Sequence, residues 1–160
     1  MKVINFSETR SIINQYMMEL RDENIQKDML RFRHNITRMG ELMAYEVSKT
    51  LEYQKTTTKT CLGEAATETL SEPLVLSTIL RAGLPLHQGM NNVFDHAENA
   101  FVSAYRKYID EEKFIIHIEY IACPRIDGKT LVICDPMLAT GSSMELAYEA
   151  LCTKGKPGKI

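Results

Sequence analysis

The chain has 160 residues, the length of one domain at about 100–200 residues each. A chain of that size buries roughly 68–70% of its unfolded surface and folds without a disulfide or metal staple. With 44% hydrophobic and 25% charged residues it is neither collagen-like, mucin-like nor disordered. Its 19 Lys plus Arg against 21 Asp plus Glu, a net of −2, excludes the basic excess of a protein that grips nucleic acid. No apolar run is long enough to span a membrane. Met1 to Glu8 contains no apolar core leading to a small-residue cleavage site, so the expected location is cytoplasmic. Cys61, Cys123, Cys134 and Cys152 have no CxxC spacing and read as reduced, mostly buried residues.

In chain order, Ile12, Ile13, Tyr16, Met17 and Leu20 recur at helical spacing, and Arg21 to Asn24 ends or bends that helix. A second helical stripe runs through Met29, Phe32, Ile36, Met39, Met43 and Val47, read as core or interface filler. Residues 52–72 are polar and threonine-rich, and predict a short strand or an irregular connection. Leu74 to Leu80 has the length of a buried strand. It stops at Arg81-Ala82-Gly83, and a helix follows from Pro85, a residue suited to a first helical turn. Ala100 to Tyr105 is a further apolar run, and Phe114 to Ile121 is rich in strand formers. Asp127-Gly128 predicts a turn, Thr130 to Cys134 a buried strand, and Asp135 to Ser143 a small-residue loop. A helix with Met144, Ala147, Tyr148 and Leu151 on one face follows, closed by Lys154-Gly155. This alternation predicts an α/β fold with a mostly parallel sheet, and neither an internal repeat nor a linker divides it.

Open α/β sheets bind ligands at the carboxyl ends of their strands. Two such places stand out. In the first, Ala139, Thr140, Gly141, Ser142 and Ser143 precede a helix, where small residues, hydroxyls and the helix dipole suit a phosphate. Asp135, at the strand end, is placed to accept hydrogen bonds from sugar hydroxyls or to approach a metal bound between them. Loop chemistry alone reads equally well as an ordinary helix N-cap. The second place is Arg81-Ala82-Gly83, where a guanidinium could grip a phosphate and small residues let the backbone pass close. Alone, Arg81 reads more readily as a surface ion-pair partner. Gly128-Lys129-Thr130 is not the tail of a nucleotide-binding P-loop, because Cys123 stands where its first glycine is required. There is no dinucleotide fingerprint, and His34, His87, His96 and His117 lack metal-ligand spacing.

Together the two segments resemble a known family. Asp135-Pro136-Met137-Leu138-Ala139-Thr140-Gly141 with Ser143 resembles the phosphoribosyl diphosphate (PRPP) loop of uracil phosphoribosyltransferases, and Ile79-Leu80-Arg81-Ala82-Gly83-Leu84 the diphosphate-holding segment. Tyr105-Arg106 is similar to a tyrosine-arginine pair in the family's following flexible loop, and Phe32-Arg33 and Tyr45-Glu46 to its N-terminal helices. The resemblance covers residues from about 30 to 160.

The resemblance implies a phosphoribosyltransferase (Rossmann-like) parallel-sheet core with N-terminal helices. That core would form one domain over 1–160, with a helical region at 1–51 and the PRPP-binding core at 72–160. It implies transfer of 5-phosphoribosyl from PRPP to uracil, giving UMP and diphosphate, with Mg²⁺ accompanying PRPP. Arg81 and Arg106 would contact the diphosphate or phosphates, and Asp135 the ribose hydroxyls. Pro136, Met137 and Leu138 would belong to the PRPP loop, and Ala139, Thr140, Gly141, Ser142 and Ser143 would wrap the 5′-phosphate. The substrates are PRPP and uracil, without nucleic acid or membrane, and assembly into a homo-oligomer is expected. Ser142 replaces the family's usual second loop glycine, and Lys107-Tyr108 replaces an acidic pair, with acids arriving at Asp110, Glu111 and Glu112. The family continues past Lys154 to Ile160 with the segment that holds uracil, so a C-terminal truncation is expected and the uracil-binding residues are unassigned. The alternatives are a non-catalytic PRPP- or nucleotide-binding regulator and a truncated assembly subunit.

Overall fold

The computed structural model describes residues 3–108 and 114–160; for 104–108 and 114–117 only the backbone is described. Two helices open the chain, α1 (Ile12–Arg21) and α2 (Met29–Ser48). Asp28 caps α2, its carboxylate accepting from the amides of Leu30 and Arg31 at 3.1 and 3.0 Å, a contact that typically stabilises by about 1 kcal/mol. Glu19 ties α1 to α2: its buried carboxylate accepts from Asn35 Nδ2 at 2.7 Å and from Gln15 Nε2 at 3.0 Å. The Arg31 guanidinium also lies 3.1 Å from that carboxylate. These hydrogen bonds and the nearby arginines hold the Glu19 carboxyl below its ordinary value. Most of the apolar stripe of α2 faces the core, while Met29 is exposed.

Residues 52–72 form a two-stranded antiparallel hairpin, β1 (Tyr53–Thr60) and β2 (Gly63–Leu70), where the sequence predicts a short strand or irregular connection. Nearly every residue of the hairpin is exposed, on both faces. Cys61 and Leu62 form its tip, and Leu62 is 96% exposed. The expectation of mostly buried cysteines is corrected: Cys134 is buried, Cys123 and Cys152 are half-buried and Cys61 is exposed, and all four are free.

Four further strands make the central sheet: β3 (Leu74–Leu80), β4 (Glu98–Tyr108), β5 (Phe114–Ala122) and β6 (Thr130–Cys134), in the order β5-β4-β3-β6. The pairs β3–β4 and β3–β6 are parallel, and β5 returns antiparallel along β4. The sheet is thus mixed, a parallel core with one antiparallel edge. Between β3 and β4 lies α3 (Leu84–Val93), and after β6 comes α4 (Ser142–Cys152), which begins two residues earlier than the sequence predicts. Side chains of β3 alternate between two cores: Leu74 and Leu76 pack with α2 and α3, Val75 and Ile79 with α4. No helix among the described residues is long and apolar enough to cross a membrane.

Two glycines set the crossing of α2 and α3. A Cβ on Gly40 would lie 2.4 Å from the Leu86 carbonyl oxygen, and one on Gly89 would lie 2.0 Å from that of Thr37. The helix backbones therefore touch, and any side chain at either position would drive them apart.

Candidate functional site

Because β3, β4 and β6 run parallel, their carboxyl ends open on one side of the sheet. The register pairs Thr78 with Cys134 and Leu80 with Ser103. Arg81 thus follows β3 directly, and Asp135 follows the end of β6 on the neighbouring strand. The structure brings these two sequence-predicted residues to one edge.

Residues 81–83 form a tight turn. The Gly83 amide donates to the Ile79 carbonyl at 3.0 Å, and the Leu84 amide to that of Arg81 at 3.2 Å. The Leu80–Arg81 peptide bond is cis. Arg81 is exposed and takes part in no ion pair among the described residues, so the ion-pair reading of this side chain finds no partner there. Gly83 is buried, and its glycine identity has a reason the sequence does not disclose. A Cβ there would lie 2.1 Å from Thr78 Oγ1, 2.8 Å from the Ile79 carbonyl oxygen and 2.9 Å from that of Cys134. The turn thus passes close to the sheet itself.

Asp135 is half-buried. Burial pushes its carboxyl above the ordinary value, and a backbone hydrogen bond from Met137 acts in the opposite direction. Pro136 to Thr140 are exposed, including the large apolar side chains of Met137 and Leu138, 77% and 71% exposed. Gly141 has φ +85°, the left-handed region that favours glycine. It is the N-cap of α4, and its carbonyl accepts from the Glu145 amide at 2.9 Å. Thr140 Oγ1 lies 2.9 Å from Ser142 Oγ. Ser142 and Ser143 occupy the first turn of α4, so the helix dipole faces the loop, and the Ser142 amide donates to Thr140 Oγ1 at 3.4 Å. Ser142, the departure from glycine, is accommodated as a helical residue.

Arg106 and Tyr105 lie on β4, with Arg106 opposite Ile116 in the ladder to β5, where the resemblance places them in a loop. The Arg106 side chain lies outside the described residues, as do Asp110, Glu111 and Glu112. Thr78 escaped sequence reasoning altogether. It is fully buried, and its hydroxyl donates to the Cys134 carbonyl at 3.3 Å, beneath both loops.

A family model described as uracil phosphoribosyltransferase matches residues 7–160. The chain belongs to the uracil phosphoribosyltransferase family. It is 59% identical over 160 residues to a uracil phosphoribosyltransferase of Porphyromonas gingivalis, covering 100% of this chain and 74% of that relative. A uracil phosphoribosyltransferase of Methanothermobacter thermautotrophicus is 39% identical over 150 residues, covering 92% of this chain and 68% of the relative. Among solved structures, an Aquifex aeolicus protein superposes with a TM-score of 0.80 at 28% identity, over 95% of this chain and 71% of that one. A hypoxanthine phosphoribosyltransferase of Staphylococcus aureus matches at a TM-score of 0.52 and 16% identity, over 76% of this chain and 58% of that one, a likeness of fold alone. The phosphoribosyltransferase α/β fold expected of the family is the fold observed.

Proposed function

We propose that this uracil phosphoribosyltransferase family member transfers the 5-phosphoribosyl group of PRPP to uracil, releasing diphosphate and forming UMP in pyrimidine salvage in the cytoplasm. The observation that carries this reading is the convergence of the Arg81 turn and the Asp135–Ser143 segment at one sheet edge, in a chain 59% identical throughout to a uracil phosphoribosyltransferase.

In this reading Arg81, exposed at the end of β3, grips the diphosphate by charge-assisted hydrogen bonds. Arg106, from the neighbouring strand, adds a second cation. Asp135 accepts from the ribose hydroxyls, and residues 136–143 enclose the 5′-phosphate, with the amides at the start of α4 directed toward it. The reaction breaks the bond from C1′ to the diphosphate oxygen and the N–H bond of the attacking uracil nitrogen, forms a bond from C1′ to that nitrogen, and releases diphosphate and a proton. The chain's task is to hold the partners in line and to stabilise charge on the leaving group, which requires no side-chain nucleophile. Among the described residues, no three His, Cys, Asp or Glu are gathered as a metal-binding group. One carboxylate, Asp135, beside a phosphate cradle fits Mg²⁺ carried by the substrate's own phosphates. Held in that way, Mg²⁺ would supply neutralisation of the charge on the leaving diphosphate.

Assembly with further copies of the chain belongs to the same proposal. It is supported by the β1–β2 hairpin, exposed on both faces, because an isolated two-stranded hairpin is marginal in water. Deleting residues 54–69 is expected to lower the number of protomers per particle measured by light scattering; an unchanged number would remove the hairpin from assembly.

The deciding experiment offers PRPP and Mg²⁺ with uracil, cytosine or hypoxanthine and follows diphosphate release. Release with uracil alone is expected. Binding of PRPP without release for any base would overturn the catalytic reading, and release with hypoxanthine would overturn the base assignment.

A further inference from the structure

We propose that Thr78 is a positioning residue for PRPP, fixing the arginine turn to the strand end that carries Asp135. The inference rests on the reading above, in which Arg81 and Asp135 contact the same substrate molecule. β6 leaves the sheet at Cys134, opposite Thr78, while β3 runs on through Ile79 and Leu80 to Arg81. At that point of divergence the Thr78 hydroxyl donates to the Cys134 carbonyl at 3.3 Å, across 56 residues of sequence. The Cys134 carbonyl belongs to the peptide unit that leads into Asp135. Gly83, two residues after Arg81, lies directly over this bond: a Cβ on it would fall 2.1 Å from the hydroxyl and 2.9 Å from the carbonyl oxygen.

One hydroxyl thus touches both substrate-facing loops, with Thr78 itself fully buried and out of reach of substrate. An arginine that holds the diphosphate and a carboxylate that holds the ribose must be spaced to match one molecule of PRPP. Reacting groups tolerate only about 0.5 Å of misplacement. Thr78 sets that spacing from below. Replacing its hydroxyl with a methyl group keeps the volume and leaves the Cys134 carbonyl without this donor. It also presents Gly83 with an apolar group where a polar one stood.

The test compares Thr78→Val, Thr78→Ser and Thr78→Ala with wild type, measuring PRPP affinity by calorimetry in the presence of Mg²⁺, steady-state constants for both substrates, and thermal midpoints. Thr78→Val is expected to weaken PRPP binding by about tenfold and raise its KM in parallel, with the KM for uracil unchanged. Thr78→Ser, which keeps the hydroxyl, is expected to bind PRPP as wild type does. If Thr78→Val does not fold, Thr78→Ser and Thr78→Ala still form the decisive pair, since both lack the methyl group and only one has the hydroxyl. Equal PRPP affinity in those two, or a lowered midpoint in Thr78→Val with PRPP affinity intact, would overturn the proposal. Direct PRPP binding separates this failure from a failure of the uracil assignment, which wild-type turnover reports independently.

Discussion

The turn after β3 and the loop after β6 face the same edge of the sheet, yet they are built in opposite ways. Residues 81–83 are held by two backbone hydrogen bonds and by a buried glycine pressed on Thr78 and Cys134. Residues 136–140 stand in solvent, with hydrogen bonds concentrated around Thr140, Ser142 and the start of α4. In the proposed site the first is a fixed grip, presenting one exposed guanidinium from a backbone packed on the sheet. The second is a cradle whose donors are arranged by a glycine and a helix end and whose rim remains open. A fixed element suits recognition of a leaving group whose position must be set before reaction, and an open one suits entry of a bulky phosphorylated sugar.

Changes that attack the fixed grip are expected to cost most. Gly83→Ala places a methyl group 2.1 Å from Thr78 Oγ1, and overpacking of this kind costs about 3 kcal/mol, with a large fall in the thermal midpoint and loss of PRPP binding. A midpoint equal to wild type would mean that the turn yields. Arg81→Ala removes only the exposed grip: PRPP binding should weaken by about 1.5–3 kcal/mol with stability unchanged, and unaltered PRPP affinity would take Arg81 out of the site. On the cradle side, Gly141→Ala meets no clash, the nearest atom being Leu138 Cδ1 at 3.9 Å. Only the positive φ opposes it, at about 1 kcal/mol. Its melting shift should be much smaller than that of Gly83→Ala, and an equal shift would erase the distinction between the two loops.

The smallest effect concerns charge. Burial raises the Asp135 carboxyl in the folded state above its ordinary value of 3.8. The folded chain then binds more protons than the unfolded one in the interval above 3.8, so stability falls as pH rises through it and the deficit persists at neutral pH. Asp135→Asn should melt slightly higher than wild type at pH 7, with the gap closing in acid, while turnover is lost. A variant that melts lower at neutral pH would show that the carboxylate stabilises its loop. His87 gives the opposite pH response: burial lowers its imidazole below the ordinary 6.5, and contacts with Leu76 and Asn99 partly offset this. Its contribution to stability is full above 6.5 and is lost as pH falls below it. His87→Gln should flatten that part of the melting-versus-pH curve.

What could be read in the residues followed from where each segment is buried. Leu74 to Leu80 announces itself as a strand because both of its faces are covered. The β1–β2 hairpin does not, because both of its faces meet solvent and the two-residue alternation of apolar and polar side chains is absent. Its threonines carry a β preference without a pattern to fix the turn. At the site, Asp135 to Ser143 was legible as a small-residue loop entering a helix, but its composition alone fits an ordinary N-cap equally well. Only its pairing with Arg81-Ala82-Gly83 in a family resemblance separated the two readings. Thr78 was silent: it is one more β-branched residue in an apolar run, and its role arises only when β6 is laid beside β3. Gly83 was legible as a glycine but its reason was not, since the atoms it approaches include a carbonyl far along the chain.

The crossing of α2 and α3 carries a kinematic consequence for that grip. α3 starts at Leu84, immediately after Gly83 rests on the sheet, and is pinned again at Gly89, where its backbone meets that of α2 at Gly40. Six residues of helix separate the pins by about 9 Å. A rod held at two points by contacts this close can neither pivot about one nor slide past the other. The backbone at Arg81 is thereby denied rigid-body motion, and in the proposed site adjustment to PRPP falls to the arginine's own rotamers and to the open loop across from it.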